Sequence, residues 1–294
     1  MIFQKNGNRL IRNYENEQLW IEAYGDGLRV RATQNGQMME NDWALSYAEP
    51  AGEVLIEISE ESAAIVNGKI KAAISKGGKI TFYKGETILL EEYMRNWQNP
   101  NPASHAIKIT AREFIPILGG DYKINVRFEA KDDEKIFGMG QYQHPYLDLK
   151  GCILELAQRN SQVSIPFALS SRGYGFLWNN PAIGRVSFGK NMTEWESCTT
   201  NQIDYWITSG DNPKEIIRNF TAVTGRAPMM PENVMGLWQC KLRYQTQEEV
   251  LQVAREYKRR GLPLDVIIID FFHWKYLGDW KFDEKYWPDP KAML

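Results

Sequence analysis

From Leu19 onward the chain is built of short segments, several with an apolar residue at every second position, separated by glycine-rich breaks. The run LWIEAYGDGLRVRAT sets Gly25, Asp26 and Gly27 between two such segments, which signals a hairpin. EVLIEIS, IKAAIS, KITFYK, ETILLEE and INVRFEAK follow at close spacing, with Gly77-Gly78 as one of the breaks. This pattern predicts an all-β sandwich over residues 1–210. Within it Asn99 to Ala103, carrying Pro100 and Pro102, reads as a loop and as the expected break in the sandwich.

Past residue 210 the period lengthens. Pro213 sits near the first turn of a helix whose Ile216, Ile217, Phe220 and Val223 share one face; Gly225 ends it, and Pro228 and Pro231 forbid its continuation. Residues 211–232 are therefore expected to be a connecting helix and proline-rich linker. In 233–294, two apolar runs, Val234 to Trp238 and Leu264 to Ile269, flank an amphipathic segment with Val250, Val253, Ala254 and Tyr257 at helical spacing. Thr246 and Glu249 form a capping box at its start, while Gly261 and Pro263 stop it. Val266 to Ile269 lack polar alternation, so burial on both faces is expected, as in a parallel sheet. A strand-helix-strand unit crosses over right-handed and brings both strand ends to one rim, where parallel α/β folds bind ligands. Gln239, Cys240 and Lys241 are expected there after the first strand, and Asp270, Phe271 and Phe272 after the second.

Composition narrows the partners. With 294 residues, 43% of them hydrophobic, the chain is long enough for two cored domains. A net charge of −2 with no basic block gives no reason to expect nucleic acid or a membrane surface. No apolar run approaches a membrane span and the first residues lack a signal core, so a cytoplasmic location is expected. Cys152, Cys198 and Cys240, like His105, His144 and His273, are scattered, which suggests neither a disulfide framework nor a metal site.

The run TGRAPMMPENVMGLWQCKLRYQTQEEV, followed by IIIDFFHW and GDWKFDEKYWPDP, resembles the opening of the catalytic barrel of glycoside hydrolase family 31, and within it the α-xylosidases. FGMGQYQ, Phe137 to Gln143, and IPFALSSRGYGFLWNN, Ile165 to Asn180, resemble the strands that precede that barrel, so the likeness runs from roughly Ile136 to the last residue. The resemblance implies an amino-terminal sandwich, a connecting helix and a (β/α)₈ barrel truncated here after its first βαβ unit. It also implies retaining hydrolysis, which uses two carboxyl groups roughly 5 Å apart and needs no cofactor. In the family the nucleophile is an Asp in a W-x-D-x-x-E type segment ending the fourth barrel strand, and the acid is an Asp near the sixth. Neither occurs after Asp270, so no catalytic residue is expected in this chain, which is read as an inactive fragment of a longer enzyme.

Substrate contacts carry over residue by residue. Asp270 matches the family's carboxylate after the second strand, an acceptor for sugar hydroxyls; from the residues alone it serves equally to cap the next helix or to pair with Lys241. Phe271 and Phe272 stand where glucose-cleaving relatives carry a smaller aliphatic, and a ring there fills the space of the hydroxymethyl group that xylose lacks. Either ring would also suit a core. Trp280 is a candidate for stacking on a sugar, whereas Trp287-Pro288-Asp289-Pro290 reads as a loop anchor and helix cap. Some members place an Asp on a sandwich loop; LAQRNSQVSIPF offers Gln158 and Asn160 instead, and Asn160 is carried as a substrate contact. The implied activity is release of terminal α-linked xylose from xyloglucan-type oligosaccharides. An α-glucosidase is the rival within the family, and a non-catalytic carbohydrate-binding sandwich the rival outside it. A homo-oligomer is allowed, since neighbouring barrels can complete one another's sites.

Overall fold

The computed structural model describes residues 2–34, 36–46, 48–50, 52–95, 108–271 and 273–294. The loop expected at Asn99 to Ala103 lies outside them, as does Phe272. The described residues form two compact units, Met1–Arg226 and Ala227–Leu294.

In the first unit β1 (Phe3–Asn6), β2 (Arg9–Tyr14), β3 (Glu17–Tyr24) and β4 (Gly27–Thr33) make a meander. The hairpin expected there forms, but Gly27 pairs with Tyr24 and belongs to β4, so the turn is Gly25-Asp26 and not all of Gly25 to Gly27; Gly25 takes φ 54°, where a side chain would strain. β5 (Val54–Ile58), β6 (Ser62–Asn67), β7 (Ile70–Ser75), β8 (Ile80–Lys84) and β9 (Thr87–Glu91) form a second antiparallel meander. The chain continues through β10 (Arg112–Pro116), β11 (Tyr122–Glu129), β12 (Ile136–Gln141), β13 (Ile153–Leu156), β14 (Val163–Ser170), β15 (Tyr174–Trp178), β16 (Gly184–Phe188), β17 (Met192–Thr200) and β18 (Ile203–Ser209). Three sheets result: one ordered β1-β2-β3-β4-β18-β15-β14-β12, one ordered β10-β11-β17-β16-β13, and the β5 to β9 meander. Inward residues of all three, among them Leu19, Val30, Ile65, Phe82, Val126, Phe176, Trp195 and Tyr205, share one core, which is the sandwich the alternation predicts.

The outer face of the large sheet is also covered. Helix α1 (Pro213–Thr224) is capped by Asn212, whose Oδ1 accepts from Glu215 N at 3.0 Å. Ile216 and Val223 bury against Leu45, Phe167, Leu177 and Trp206, and Phe220 stacks on Phe167 with ring centroids 4.0 Å apart. The helix expected in the connection thus docks on the sandwich, because its apolar face has a sheet to cover. Next to it, residues 38–46 close over charges that the alternation turns outward from β4. Arg29 pairs with Asp204 at 2.7 Å and with Asp42 at 2.7 Å, and Arg31 with Glu22 at 2.6 Å. Burial pushes the Asp204 carboxyl up to about 6 even against Arg29.

β12 contains a run of left-handed backbone: Gly138 at φ 95°, Met139 at 69° and Gly140 at 91°, where the register with β14 shifts. A Cβ on Gly140 would lie 2.1 Å from the Val163 carbonyl oxygen. Gly140→Ala is therefore expected to cost about 1–3 kcal/mol from backbone strain alone, read as a lower urea midpoint. An unshifted midpoint would show that the bulge relaxes freely.

The second unit holds a short 3₁₀ turn, Glu232–Met235, then β19 (Trp238–Cys240), helix α2 (Gln247–Arg259), β20 (Val266–Ile268) and a final 3₁₀ turn, Pro290–Met293. β19 and β20 pair in parallel, Trp238 opposite Val266 and Cys240 opposite Ile268, as the strand-helix-strand reading requires. Two expectations need correction. The first strand lies later than Val234 to Trp238, because Val234 falls in the 3₁₀ turn and Trp238 Nε1 donates back to its carbonyl at 2.9 Å. Asp265 Oδ2 then accepts from Leu237 N at 2.9 Å and starts the pairing there. Val266 to Ile268 are half-buried and not fully enclosed as expected; Ile267 packs against the small cluster of Tyr244, Val250 and Trp287. Among the described residues no helix is long and apolar enough to cross a membrane.

Candidate substrate site

The rim of the parallel pair is organised by α2. Thr246 Oγ1 accepts from Glu249 N at 3.2 Å, and the Glu249 carboxylate reaches back to Gln245 N at 2.6 Å. The reciprocal cap is thus offset by one residue from the box expected. Lys241, hydrogen-bonded to Glu249 at 2.5 Å, holds that carboxyl below its ordinary range. At the other end Gly261 takes φ 67°, Gly261 N donates to Lys258 O at 3.1 Å and Leu262 N to Tyr257 O at 3.0 Å, a complete Schellman stop. Gln239 and Cys240 belong to the strand, not to the loop after it as expected. Gln239 uses its amide inward, accepting from Tyr257 OH and donating to Tyr244 OH at 3.1 Å. No spacing rule would have found that three-residue link.

Asp270 follows β20 and is exposed. Its Oδ1 accepts from Phe271 N at 2.8 Å, which orients the carboxylate. Among the described residues it forms no ion pair with Lys241, whose partner is Glu249. Phe271 is 43% exposed and meets Trp274 edge to face at 6.3 Å. The structure therefore brings Asp270, Phe271, His273 and Trp274 together; the His273 and Trp274 rings lie 4.7 Å apart. Trp280 stands apart at 98% exposure. Trp287 is fully buried with Tyr244 and Val250, and Asp289 Oδ1 caps the last 3₁₀ turn through Ala292 N at 3.2 Å, so that segment is anchor and cap.

In the first unit Asn160 lies exposed in the turn between β13 and β14. Gln158 serves the backbone: its amide donates to Ser164 O at 2.9 Å and accepts from Ser164 N at 3.0 Å, imitating a strand pair. Tyr142 OH adds bonds to Glu155 O at 2.8 Å and Ser164 Oγ at 2.9 Å. Asn160 thus tips a hairpin braced from within, with Ser161 beside it at φ 65°.

The chain thus runs from a β-sandwich into a parallel strand-helix-strand unit with a carboxylate and aromatics after its second strand, an architecture of the sandwich-plus-α/β class. Residues 18–186 match the glycosyl hydrolase 31 N-terminal galactose mutarotase-like domain, and residues 227–294 the glycosyl hydrolases family 31 TIM-barrel domain. The chain belongs to glycosyl hydrolase family 31.

It is 48% identical over 302 residues to the uncharacterized family 31 glucosidase ORF2 of Pseudescherichia vulneris, covering 99% of this chain and 57% of that protein. To α-xylosidase A of Aspergillus niger it is 29% identical over 320 residues, covering 99% and 42%. The crystal structure of a family 31 α-xylosidase from a soil metagenome, complexed with xylose, matches with a TM-score of 0.86 at 50% identity over 99% of this chain and 44% of that one. The chain spans about half the length of the relatives it matches.

Proposed function

We propose that the whole protein is a retaining, cytoplasmic α-xylosidase that releases terminal α-linked xylose from xyloglucan-type oligosaccharides. The observation that carries this reading is the pairing at the rim of an exposed carboxylate, Asp270, with a bulky ring, Phe271, braced on Trp274. The carboxylate accepts sugar hydroxyls while the ring occupies the space a hydroxymethyl group would need. Identity of 50% to an enzyme whose structure holds xylose supports it. Phe272, Trp280 and Asn160 are proposed as further contacts with the sugar. On this reading the catalytic carboxylates belong to the half of its relatives' length that this chain does not span, so the 294-residue chain alone is expected to release no xylose. Likeness to a protein described as a glucosidase favours the second reading, an α-glucosidase.

Paired initial rates on aryl α-xyloside and aryl α-glucoside with the full-length protein decide between them. Phe271→Ile is expected to move the rate ratio toward glucoside by about tenfold or more, since excluding a small group discriminates by about 1–3 kcal/mol. A ratio that stays put would remove Phe271 from specificity.

A further inference from the structure

Two hairpins of the sandwich carry the same dipeptide in the same place. Asn6 pairs with Arg9 across a turn of Gly7 and Asn8, and Asn67 pairs with Ile70 across a turn of Gly68 and Lys69. Gly7 takes φ 58° and Gly68 φ 57°, so the turns match. The two asparagines differ in what their side-chain amides touch. Asn67 is fully buried, and its Nδ2 donates to Gly25 O at 2.8 Å and to Gly27 O at 2.7 Å, tying this hairpin to the β3–β4 turn. Asn6 is exposed, as are Gly7 and Asn8, and its side chain makes no hydrogen bond among the described residues.

An asparagine followed by glycine holds an amide within reach of a backbone nitrogen that no Cβ shields. We infer that Asn6 is a site of spontaneous modification by deamidation, and that Asn67 is protected by its contacts with the β3–β4 turn. The Gly7 nitrogen attacks Asn6 Cγ, the new C–N bond closes a succinimide ring, and the side-chain nitrogen leaves as ammonia. Water then opens the ring at either carbonyl, giving aspartate or isoaspartate. At Asn67 the same step has to pull the leaving nitrogen off two carbonyls in the core, where no water replaces them.

The product acts on a sheet edge. Among the described residues β1 has β2 as its one strand neighbour, and it supplies Phe3 to the core. An isoaspartyl link routes the main chain through the side chain of residue 6 and so lengthens the backbone at the pair that closes the hairpin. The ladder from Phe3 opposite Arg12 to Asn6 opposite Arg9 then loses its register with the turn, and β1 is the strand that loosens. The aspartyl product keeps the backbone and adds only a negative charge.

The test incubates full-length protein in mildly alkaline buffer, folded and in parallel unfolded in urea, and maps by mass spectrometry the peptides that hold each Asn-Gly pair. Unfolded, the two pairs are expected to deamidate at similar rates. Folded, Asn6 is expected to convert about tenfold or more faster than Asn67, the factor that two retained hydrogen bonds supply. Equal rates in the folded protein, or an Asn6 that stays intact there while the unfolded chain reacts, overturn the proposal. Amide exchange over Phe3–Asn6 reads the consequence: it is expected to speed up in the isoaspartyl fraction and to stay at the unmodified rate in Asn6→Asp. Exchange unmoved in the isoaspartyl fraction overturns the loosening of β1.

Discussion

Replacing Asp270 by alanine in the full-length protein is expected to lower kcat/KM on an aryl α-xyloside by about 10²–10⁴-fold. The carboxylate lies exposed after β20, and one oxygen is steered by Phe271 N at 2.8 Å. The remaining acceptor capacity is what paired sugar hydroxyls would use. Two hydrogen bonds to a charged acceptor are worth about 1.5–3 kcal/mol each, which converts to that loss. Asp270→Asn keeps one acceptor oxygen and should fall between the two. Steady-state rates on the folded variants check this, and a loss under tenfold for alanine would leave Asp270 as a shaper of its own loop.

The largest effect on stability is expected at Arg112. It donates to Glu92 and to Glu17 at 2.9 and 3.0 Å, and also to the Gly78 carbonyl at 3.0 Å. Glu92 is fully buried, with Ile80 N as its other donor at 2.8 Å. Burial raises the Glu92 pKa above the ordinary carboxyl range, and Arg112 is the largest influence opposing it. Burial pushes Glu17 up too, but Arg112 and Arg12 outweigh it and leave that carboxyl lowered. Arg112→Met strands a buried charge and should cost about 3–5 kcal/mol at neutral pH.

The sign of the pH dependence follows from both carboxyls. A group with a raised folded pKa stabilises below its unfolded pKa and loses that contribution as pH rises through the folded value. Without Arg112 the Glu92 pKa climbs further, so its loss spreads toward neutral pH. Glu17, lowered in the native protein, contributes above its unfolded pKa and loses that as pH falls, so removing Arg112 takes most away where pH is high. The variant's deficit should therefore be greatest at pH 7–8 and shrink toward pH 4, measured as urea midpoints across that range. A deficit below about 1 kcal/mol, or one flat with pH, would mean that water reaches Glu92 and replaces the guanidinium.

Alternation in strands such as Ile70–Ser75 and punctuation around α2 were enough to read the sandwich and the parallel pair from residues alone. What stayed hidden were tertiary effects. Arg29 and Arg31 alternate with Leu28 and Val30 as solvent-facing residues should, yet both are buried because residues 38–46 fold over them. Val234 to Trp238 is apolar enough for a strand, but Gly236 and the Trp238 indole turn its start into a 3₁₀ bend. Asp270 was visible as a carboxylate ending an aliphatic run.

The place of β18 in the large sheet also sets an order of events during synthesis. Asp204 and Arg29 are 175 residues apart, and β4 gains its second neighbour only when β18 is available. At roughly 5–20 residues per second the meander β1 to β4 waits on the order of ten seconds or more with that edge unpaired. Arg29 and Arg31 then act as guards, since charged side chains discourage another nascent chain from adding a strand there. When β18 arrives it brings Asp204, and the charge that kept strangers away becomes the contact that closes the sheet.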